Sequence, residues 1–590
     1  MDLIRRVFLS QLTMIIFLMI PLSMPILALI DAQPCSALWT ESTIYIRADG
    51  RIDPPNAPII TADNITYTLT DDINVSDYGI IIERDNIVLD GAGHTLEGNY
   101  PSVRYEGIRI GSRSNVTVTN VVIKRFSEGI SISWSSNISV SGNNITACYS
   151  GIYIYRSSGS IITDNALSNN EFGISLLQSS NNTIVRNNIT ENSNTGISLS
   201  DSSNNNTIAE NNVGGNYLGI HLFRSSNNRV AENNITNNSE GIRVSGDSLG
   251  QSINNTIIEN NAINNDKGIV LLNNSSNSSV IKNIIAHNSQ GISIEISSGN
   301  YIIGNNVTTS REVGLWISES SNNVIAENNV AENNIYGYSL GIWLSRSSGN
   351  RIHHNNFINN SGQASTFNST LNLWDDGYPS GGNYWSDYTG ADLYSGPYQN
   401  MTGSDGLGDA PYIIDADNRD RYPLMKPYVE DKTPPSIIEI RRQPEGDIEP
   451  NQPVKILVNA TDDLSGVKWV ILSYCIGDSP SWTDIVMSFN ATSGFYESTI
   501  QVEQANVIVR YKVTVYDNAE NQVVDDNNGQ YYIYNVIPEF PSTTILLTLV
   551  SLATVIIVLQ KRVKLPEKRT RMKEIEPCAT LSSYIRVYHR

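Results

Sequence analysis

Short runs of alternating apolar and polar residues recur along most of the chain, and a glycine introduces one run in each repeat. The motif G-[IL]-x-[ILV] begins at glycines spaced 22, 23 or 27 residues apart: Gly107, Gly129, Gly151, Gly173, Gly196, Gly219, Gly241, Gly268, Gly291, Gly314 and Gly341. Alternation with a period of two is typical of strands, and no long stretch has the 3.6-residue period of a helix. The fixed repeat length predicts stacked supersecondary units.

Each repeat contains three short apolar runs, such as "GIHLF", "NRVAE" and "NNI", separated by Ser, Asn and Gly. Three strands per turn of this length predict a parallel β-helix whose coils lie ~4.8 Å apart. Residues 86–360 are expected to form about eleven or twelve coils. A disordered Asn-rich tract is disfavoured because Ile, Val and Leu recur at fixed inward positions.

One asparagine recurs at the same corner of ten successive repeats. We expect it to adopt left-handed backbone angles and its amide to hydrogen-bond from coil to coil. This structural ladder comprises Asn143, Asn165, Asn187, Asn211, Asn233, Asn260, Asn283, Asn305, Asn328 and Asn355.

The segments on either side of the repeats predict further domains. Residues 33–85 are expected to form N-terminal cap strands, and the aromatic, Asp-rich segment 361–430 a C-terminal cap, because open strand edges must be covered. Residues 431–536 predict an Ig/fibronectin-like β-sandwich. The predicted class is therefore all-β.

Both ends carry membrane signals. Residues 1–32 have the basic and apolar regions of a signal peptide, with an uncleaved anchor as the alternative because the apolar region is long. Residues 541–560 predict one transmembrane helix, followed by a basic cytoplasmic tail over 561–590. The stretch "IPEFPSTT" resembles sorting signals of archaeal surface proteins. These signals predict a single-pass protein of the cell surface with its N-terminal bulk outside, and the many N-x-[ST] sequons there predict a glycoprotein.

The net charge argues against a nucleic-acid-binding protein, and the cysteine spacing argues against a disulfide-rich protein or a cysteine-based metal site. The formal net charge is −20, which argues against nucleic acid as a partner because phosphate neutralisation needs clustered Lys and Arg. The four cysteines are Cys35, Cys148, Cys475 and Cys578, and their spacing predicts neither a disulfide framework nor a metal site.

The repeats, the segment "NIVLDGAGHTLEG" and the ending "NYWSDYTGADLYSGPYQNMTGSDGLGDAPYIIDADNRDRYPLMKP" resemble the NosD-type β-helix proteins. The resemblance covers about residues 43–427 and implies a right-handed parallel β-helix. It also implies two functional classes, since the family takes its name from a copper-binding maturation protein and related β-helices bind or process carbohydrates. Fold alone does not fix the function.

Outward positions of the G-[IL]-x-[ILV] strands carry exposed aromatic residues suited to stacking on sugar rings. The predicted ligand-binding residues are Tyr153, Tyr155, His221, Phe223, Trp316 and Trp343. The partner expected there is a polysaccharide or cell-surface glycan. Trp316 and Trp343, on adjacent coils, form the best patch, although the inserted loop around Tyr336 and Tyr338 is an alternative cover for them.

Glu210, Glu232 and Glu259 occupy equivalent outward positions on consecutive coils. Their expected spacing of ~5 Å is that of retaining glycosidases, which makes them candidate catalytic residues. The favoured alternative is a solvated ladder whose charge is balanced by Arg186 and Lys282, and a bound cation is a further alternative.

Two kinds of metal site have candidate ligands. Asp405, Asp409, Asp415, Asp417 and Asp420 lie in a glycine-rich segment and are candidate calcium ligands, although capping of turns is the ordinary explanation. Copper is not expected, because the methionines do not cluster and His353 and His354 should point to opposite sides of their strand.

The favoured function is the binding of polysaccharide along the β-helix. The alternatives are a polysaccharide lyase, hydrolase or epimerase, a structural or adhesive spacer of the cell envelope, and a copper-binding maturation protein.

Overall fold

The computed structural model describes residues 43–101, 105–333, 339–463, 465–477, 479, 481–538 and 542–562. The chain divides into two compact units, Met1–Tyr428 and Val429–Arg590. The predicted signal peptide and residues 563–590 of the predicted tail lie outside the described residues.

Unit 1 is a parallel β-helix made of three sheets, as predicted. Sheet I has fifteen strands: Ile52–Asp53, Ile44–Ile46, Ile80–Ile82, Glu106–Gly111, Glu128–Ser133, Ser150–Tyr155, Phe172–Leu177, Thr195–Ser200, Leu218–Phe223, Glu240–Ser245, Lys267–Leu272, Gln290–Glu295, Val313–Ser318, Leu340–Ser345 and Gly362–Phe367.

Sheet II follows sheet I in every coil. Its fourteen strands are Ile59–Ile60, Thr66–Leu69, Ile87–Asp90, Val116–Thr119, Ser139–Ser141, Ile161–Thr163, Thr183–Val185, Thr207–Ala209, Arg229–Ala231, Thr256–Ile258, Ser279–Ile281, Tyr301–Ile303, Val324–Ala326 and Arg351–His353.

Sheet III completes each coil. Its fourteen strands are Ile73–Asn74, Thr95–Glu97, Val122–Lys124, Asn144–Thr146, Ala166–Ser168, Asn188–Thr190, Asn212–Gly214, Asn234–Thr236, Asn261–Ile263, Ile284–Ala286, Asn306–Thr308, Asn329–Ala331, Asn356–Ile358 and Tyr384–Trp385. The sheets hold more layers than the predicted eleven or twelve coils because strands on both sides of the repeats also join them.

Because apolar and polar residues alternate along each strand, the apolar side chains of every coil point into a common interior. Ile220 and Leu222 of sheet I, Val230 of sheet II and Ile235 of sheet III are all fully buried in one continuous core. Parallel pairing connects each strand to the next coil, except where Ile44–Ile46 pairs with Ile52–Asp53 and Ile59–Ile60 with Thr66–Leu69, both antiparallel. These two antiparallel pairs lie at the N-terminal end of unit 1.

The corner asparagines lie in one buried column between sheets II and III. From Asn143 to Asn355, each side-chain Nδ2 donates to Oδ1 of the next asparagine at 2.8–3.0 Å. The expected left-handed conformation at these positions is wrong. The residue before each corner asparagine has it instead, with φ of 53–66°: Gly142, Asp164, Arg186, Glu210, Glu232, Glu259, Lys282, Gly304, Glu327 and His354.

The segment after the last full coil packs around two tryptophans. Trp385 stacks on Phe357 of the last coil at 4.6 Å and on Tyr412 at 4.3 Å, and Trp374 is fully buried beside it. Two short hairpins complete this segment: Tyr394–Ser395 with Met401–Thr402, and Tyr412–Ile413 with Arg419–Asp420. These rings contact the apolar end of the β-helix.

Unit 2 contains two antiparallel sheets around one core. The first has the strands Ser436–Gln443, Val454–Thr461, Phe495–Ile500 and Ser488–Asn490, and the second has Thr483–Val486, Val467–Ile476, Val507–Asp517, Gln522–Asp525 and Tyr532–Val536. Ile456 of the first sheet shares the buried core with Leu472 and Val513 of the second. An immunoglobulin-like topology stays a prediction.

One helix, Ser542–Arg562, lies where the sequence predicted a transmembrane helix over 541–560. Among the described residues, however, no helix has both the length and the apolar character needed to span a bilayer.

Candidate functional site

The outer face of sheet I carries the predicted ligand-binding residues. Register places the predicted outward side chains directly beside one another in one column, from Arg109 through His221 to Trp343. Tyr155 and Phe223 lie two residues further along their strands, in a companion column. All six predicted residues therefore lie on the same face.

The C-terminal end of this face carries Trp316 and Trp343, which we call the tryptophan pair. Their ring centroids are 4.3 Å apart at an interplanar angle of 74°, and both side chains are half-buried. Tyr336 and Tyr338, the alternative cover for this pair, lie outside the described residues.

A second aromatic group lies around the strand Ser150–Tyr155, the sixth of the fifteen strands of sheet I. Tyr153 and Tyr155 lie nearly parallel, with centroids 6.5 Å apart, and Trp134 meets Tyr155 edge to face at 5.8 Å. The guanidinium of Arg156 lies 4.6 Å from the Trp134 centroid and 5.1 Å from that of Tyr155. The alternating pattern did not indicate Trp134 or Arg156, because both lie in the turn after the strand.

His221 and Phe223 lie between the two aromatic groups. His221 Nε2 is 2.8 Å from Ser245 Oγ, and Phe223 lies under the guanidinium of Arg224. Burial, together with the positive charge of Arg243, lowers the pKa of His221 to about 4. The imidazole is therefore neutral at pH 7 and can exchange hydrogen bonds without carrying charge.

Charged groups occupy the next coils of the same sheet. Glu240 forms an ion pair with Arg243 at 3.3 Å, and Lys267 with Glu295 at 3.4 Å. Glu240 Oε2 is the buried oxygen of its ion pair with Arg243, whereas Arg243 Nε and Gln290 Oε1 are buried and make no hydrogen bond within the described residues. Because buried polar atoms normally have hydrogen-bond partners, Arg243 Nε and Gln290 Oε1 mark a place where a polar ligand would be stabilised.

The candidate catalytic residues Glu210, Glu232 and Glu259 lie elsewhere. They occupy the corner between sheets II and III, each in the left-handed conformation. The structure thus places them away from the aromatic and charged groups of sheet I.

The five predicted calcium ligands take part in separate groups of hydrogen bonds. Asp405 accepts from Gly396 N, Asp409 from Leu393 N and Tyr394 N, and Asp415 from Asp417 N and Asn418 N. Asp417 is exposed, whereas Asp420 is fully buried and accepts from Trp385 Nε1 at 2.9 Å. Most of these carboxylates therefore cap turns or hold the aromatic segment, and calcium binding by them stays a prediction.

A carboxylate group that sequence reasoning missed lies in unit 2. One oxygen from each of Asp431, Asp462 and Asp517 lies within 4.8 Å of the others, and these three form the one such group of His, Cys, Asp or Glu side chains among the described residues. Oxygen donors of this kind suit a hard cation such as calcium. The three residues come from distant parts of the chain, so no local motif announces them.

The expectation that His353 and His354 point to opposite sides is wrong. Their Nδ1 atoms are 3.2 Å apart and their ring centroids 4.9 Å apart. His353 ends the strand Arg351–His353, and His354 has a φ of 59°, so the alternation of a strand does not extend to it.

Comparison with family models gives two matches. A model described as "Periplasmic copper-binding protein (NosD)" matches residues 40–265 and 245–390, which together exceed half of the chain. A model described as a domain of unknown function matches residues 429–550. No curated protein matches the chain.

The solved structures that are similar to this chain include two epimerases. The periplasmic alginate epimerase AlgG has 14% identity and a TM-score of 0.31, covering 54% of this chain and 80% of its own. The A-module of the Azotobacter vinelandii mannuronan C-5 epimerase AlgE4 has 13% identity and a TM-score of 0.33, covering 52% and 85%. DFA-IIIase from Arthrobacter chlorophenolicus A6 has 15% identity and a TM-score of 0.28, covering 40% and 67%.

Proposed function

We propose that this chain, which belongs to the NosD family because that family's model matches more than half of it, binds an extended polysaccharide along the outer face of sheet I. One observation carries the proposal. The sheet has two separate groups of aromatic rings and, between them, buried polar atoms without hydrogen-bond partners in the described part of the chain.

The aromatic groups supply apolar contact area for sugar rings. The faces of a pyranose carry C–H groups, and rigid indole and phenol rings bind them with little loss of conformational freedom. The rings of Trp316 and Trp343 meet edge to face, so their planes are steeply inclined to each other. A ligand that contacts both rings would have to change direction between them.

The middle of the sheet supplies hydrogen bonds. Glu240 Oε2 and Gln290 Oε1 are acceptors, and Arg243 Nε is a donor. Sugar hydroxyls both donate and accept, so one polyhydroxylated ligand satisfies both kinds of atom. An apolar ligand would leave Arg243 Nε and Gln290 Oε1 buried and unsatisfied, at a cost of roughly 1–3 kcal/mol each.

The length of the face favours a polymer over a single sugar. Seven coils separate Tyr153 from Trp316, and at ~4.8 Å per coil this spans roughly 34 Å. A chain of several sugar units is needed to reach both aromatic groups.

A glycan array with the full chain tests the proposal. Trp316→Ala and Trp343→Ala should each weaken binding of the selected polysaccharide by about tenfold or more, because an anchoring indole is lost. Trp469→Ala removes an exposed tryptophan of unit 2 and should leave affinity unchanged. Binding that is indifferent to both sheet I changes would refute this assignment of the face.

Processing of the bound polysaccharide is a second candidate function. His221 lies directly beside Arg243 in the register, and Glu240 pairs with Arg243, so an acid, a base and a cation share two adjacent coils. Loss of product release in His221→Gln, with binding retained, would support it. Binding without any product from the wild-type chain would exclude it.

A location at the cell surface also stays a prediction. It is supported by the basic and apolar regions of residues 1–32 and by the acidic composition. Protease accessibility of unit 1 on intact cells would check it.

A further inference from the structure

A pocket opens where the strands of sheet I turn toward sheet II. It lies among the turns of four consecutive coils and has a volume of about 510 Å³, which is within the range of pockets that hold small-molecule ligands. Residues 247–251 form part of its wall, and they lengthen the repeat between Gly241 and Gly268 to 27 residues. We call this cavity the turn pocket.

Arg224 connects the turn pocket to the aromatic face of sheet I. Its guanidinium lies 4.6 Å from the centroid of the Phe223 ring, which belongs to the companion column. The same guanidinium donates to Asp201 Oδ1 at 2.9 Å and to Asp247 Oδ1 at 2.8 Å. A sugar ring that contacts Phe223 would therefore lie next to the wall of the pocket.

We propose, on the basis of the proposed function of sheet I, that the turn pocket binds a neutral sugar that branches from the polysaccharide. The columns of sheet I run from coil to coil, so a main chain bound along them passes across the strands. The turn pocket lies beyond the ends of these strands. Only a substituent that leaves the main chain reaches it, and the protein therefore prefers branched chains.

The turn pocket presents both donors and acceptors of hydrogen bonds. The side-chain oxygens of Gln178 and Asn204 accept hydrogen bonds of 2.6 and 2.7 Å from neighbouring residues, which leaves both NH2 groups to donate. Asp201 binds Arg224 through Oδ1, which leaves Oδ2 to accept. Neighbouring hydroxyls of a sugar both donate and accept, so a carboxylate oxygen and two amides suit them.

Leu249 supplies an apolar contact at the rim of the pocket. Its side chain is 81% exposed, and its backbone N–H donates to Asp247 Oδ1 at 2.8 Å. The same carboxylate oxygen accepts from Gly250 N at 3.1 Å, and Asp247 N donates to Gly250 O at 2.8 Å. The turn is thus formed before a ligand arrives, and binding orders little of it.

The charges of the turn pocket favour a neutral sugar over an acidic one. Arg224 is the basic residue of the lining, and it forms ion pairs with both Asp201 and Asp247. Two carboxylates therefore share one guanidinium. The carboxylate of a uronate branch would meet excess negative charge here, and like charges at a binding surface disfavour association.

Deletion of residues 247–251 removes part of the wall and should leave the β-helix intact. It restores the 22-residue length of the shorter repeats. Gly246 would take the left-handed position that Arg224 occupies one coil earlier with a φ of 48°, which suits glycine. Ser252 would follow directly, and its Oγ, which accepts from Ser225 N at 3.0 Å, can keep that hydrogen bond.

Affinities of the full-length chain for three polysaccharides with one main chain test the proposal: unbranched xylan, arabinoxylan with neutral branches and glucuronoxylan with acidic branches. Mannan and galactomannan repeat the comparison on a second main chain. For a main chain that binds, the wild type should prefer the neutral-branched form over the other forms by about tenfold. The deletion should bring all forms within about twofold of the unbranched one.

Leu249→Ala provides a test that keeps the length of the turn. It should reduce the preference for the neutral-branched chain by about threefold, because the apolar contact is lost. Leu371→Ala is the matched control, since Leu371 is 80% exposed in a turn five coils further on. It should keep the full preference.

Two results would overturn the turn pocket and leave the sheet I site in place: equal binding of branched and unbranched chains by the wild type, or a preference that survives the deletion. In both cases Trp316→Ala would still weaken binding of every form. If the deletion variant fails to fold, an equal preference in Leu249→Ala and Leu371→Ala overturns the pocket. Absence of binding to all five polysaccharides, or binding indifferent to Trp316→Ala, would instead refute the proposed function and the pocket with it.

Discussion

Asn211 donates a hydrogen bond from its side-chain Nδ2 to Oδ1 of Asn233, one coil further on, at 2.9 Å. The same Oδ1 of Asn233 accepts from the backbone N–H of Asn211 at 3.0 Å. Each amide of the column thus joins two coils through both its side chain and its backbone, in an interior closed to water. Each asparagine side chain therefore stabilises the adjacent coils as well as its own coil.

We expect Asn211→Ala to lower the free energy of unfolding by roughly 2–4 kcal/mol, because buried donors and acceptors on both adjacent coils lose their partner. Chemical denaturation measures the change. Asn212→Ala is the control, since Asn212 is exposed and its amide donates at the surface to Asn188; its effect should stay within about 0.5 kcal/mol. Equal effects of the two substitutions would contradict a structural role for the buried column.

Gly219→Ala should destabilise the β-helix by roughly 1–3 kcal/mol or more through overpacking. A Cβ at Gly219 would lie 2.4 Å from the carbonyl oxygen of Gly241 on the next coil, and backbone cannot move aside there. At Gly214 the nearest atom, the carbonyl oxygen of Thr236, is 3.2 Å away, so Gly214→Ala should cost less. Thermal melting of both variants checks the order, and a reversed order would be incompatible with this packing.

Glu232→Gly should stabilise unit 1 by roughly 0.5–1 kcal/mol, because glycine relieves the cost of a non-glycine residue at φ 56°. Glu232→Gln separates conformation from charge, since it keeps the length of the side chain and removes the carboxylate. It should change stability less than Glu232→Gly and leave any release of sugars unchanged. Loss of such release in Glu232→Gln would return this corner to the list of catalytic candidates.

The titration of Asp420 should lower the free energy of unfolding as the pH rises from about 4 to 7. Burial raises the pKa of this carboxyl to about 7 from an ordinary value near 3.8. The folded state therefore holds a proton that the unfolded state has lost, and this stabilising contribution, full below about pH 4, is gone above about pH 7. Unfolding free energies at about pH 4.5 and 7.5 in wild type and Asp420→Asn measure it. A wild-type slope retained in the variant would assign the effect to other groups.

The titration of His221 changes the stability in the opposite direction over an overlapping range of pH. Its pKa is lowered from 6.5 to about 4 by burial, so its contribution is present above pH 6.5 and lost as the pH falls toward 4. The difference between wild type and Asp420→Asn removes this common contribution, which is why the Asp420 experiment uses two proteins.

The repeat allowed the fold and the register of sheet I to be predicted from sequence. Alternation fixes which side chains point inward, and the glycine spacing fixes which residues are neighbours on adjacent coils. The 27-residue spacing between Gly241 and Gly268 leaves the register intact, because the extra residues lie in the turn after Glu240–Ser245 and Arg243 still pairs with Val270. The extra length of this repeat therefore lies in a turn and leaves the strands unchanged.

Corner geometry could not be predicted in the same way. Residue preference suggested asparagine for the left-handed position, yet the buried hydrogen bonds of the column need the asparagine one residue later. Packing thus overrode local preference, and the same shift brought His354 beside His353. Sequence proximity also suggested calcium ligands around Asp405, whereas the carboxylates that converge, including Asp431 and Asp517, are far apart in the chain.

The asparagine column has a consequence for how this protein varies in size. Every coil of the column makes the same contacts with the one before and the one after, so duplication or deletion of one coil would create no new kind of interface. The outer face of sheet I would then lengthen or shorten in steps of ~4.8 Å. The number of repeats therefore sets, in whole units, the length of the face to which we propose that a polysaccharide binds.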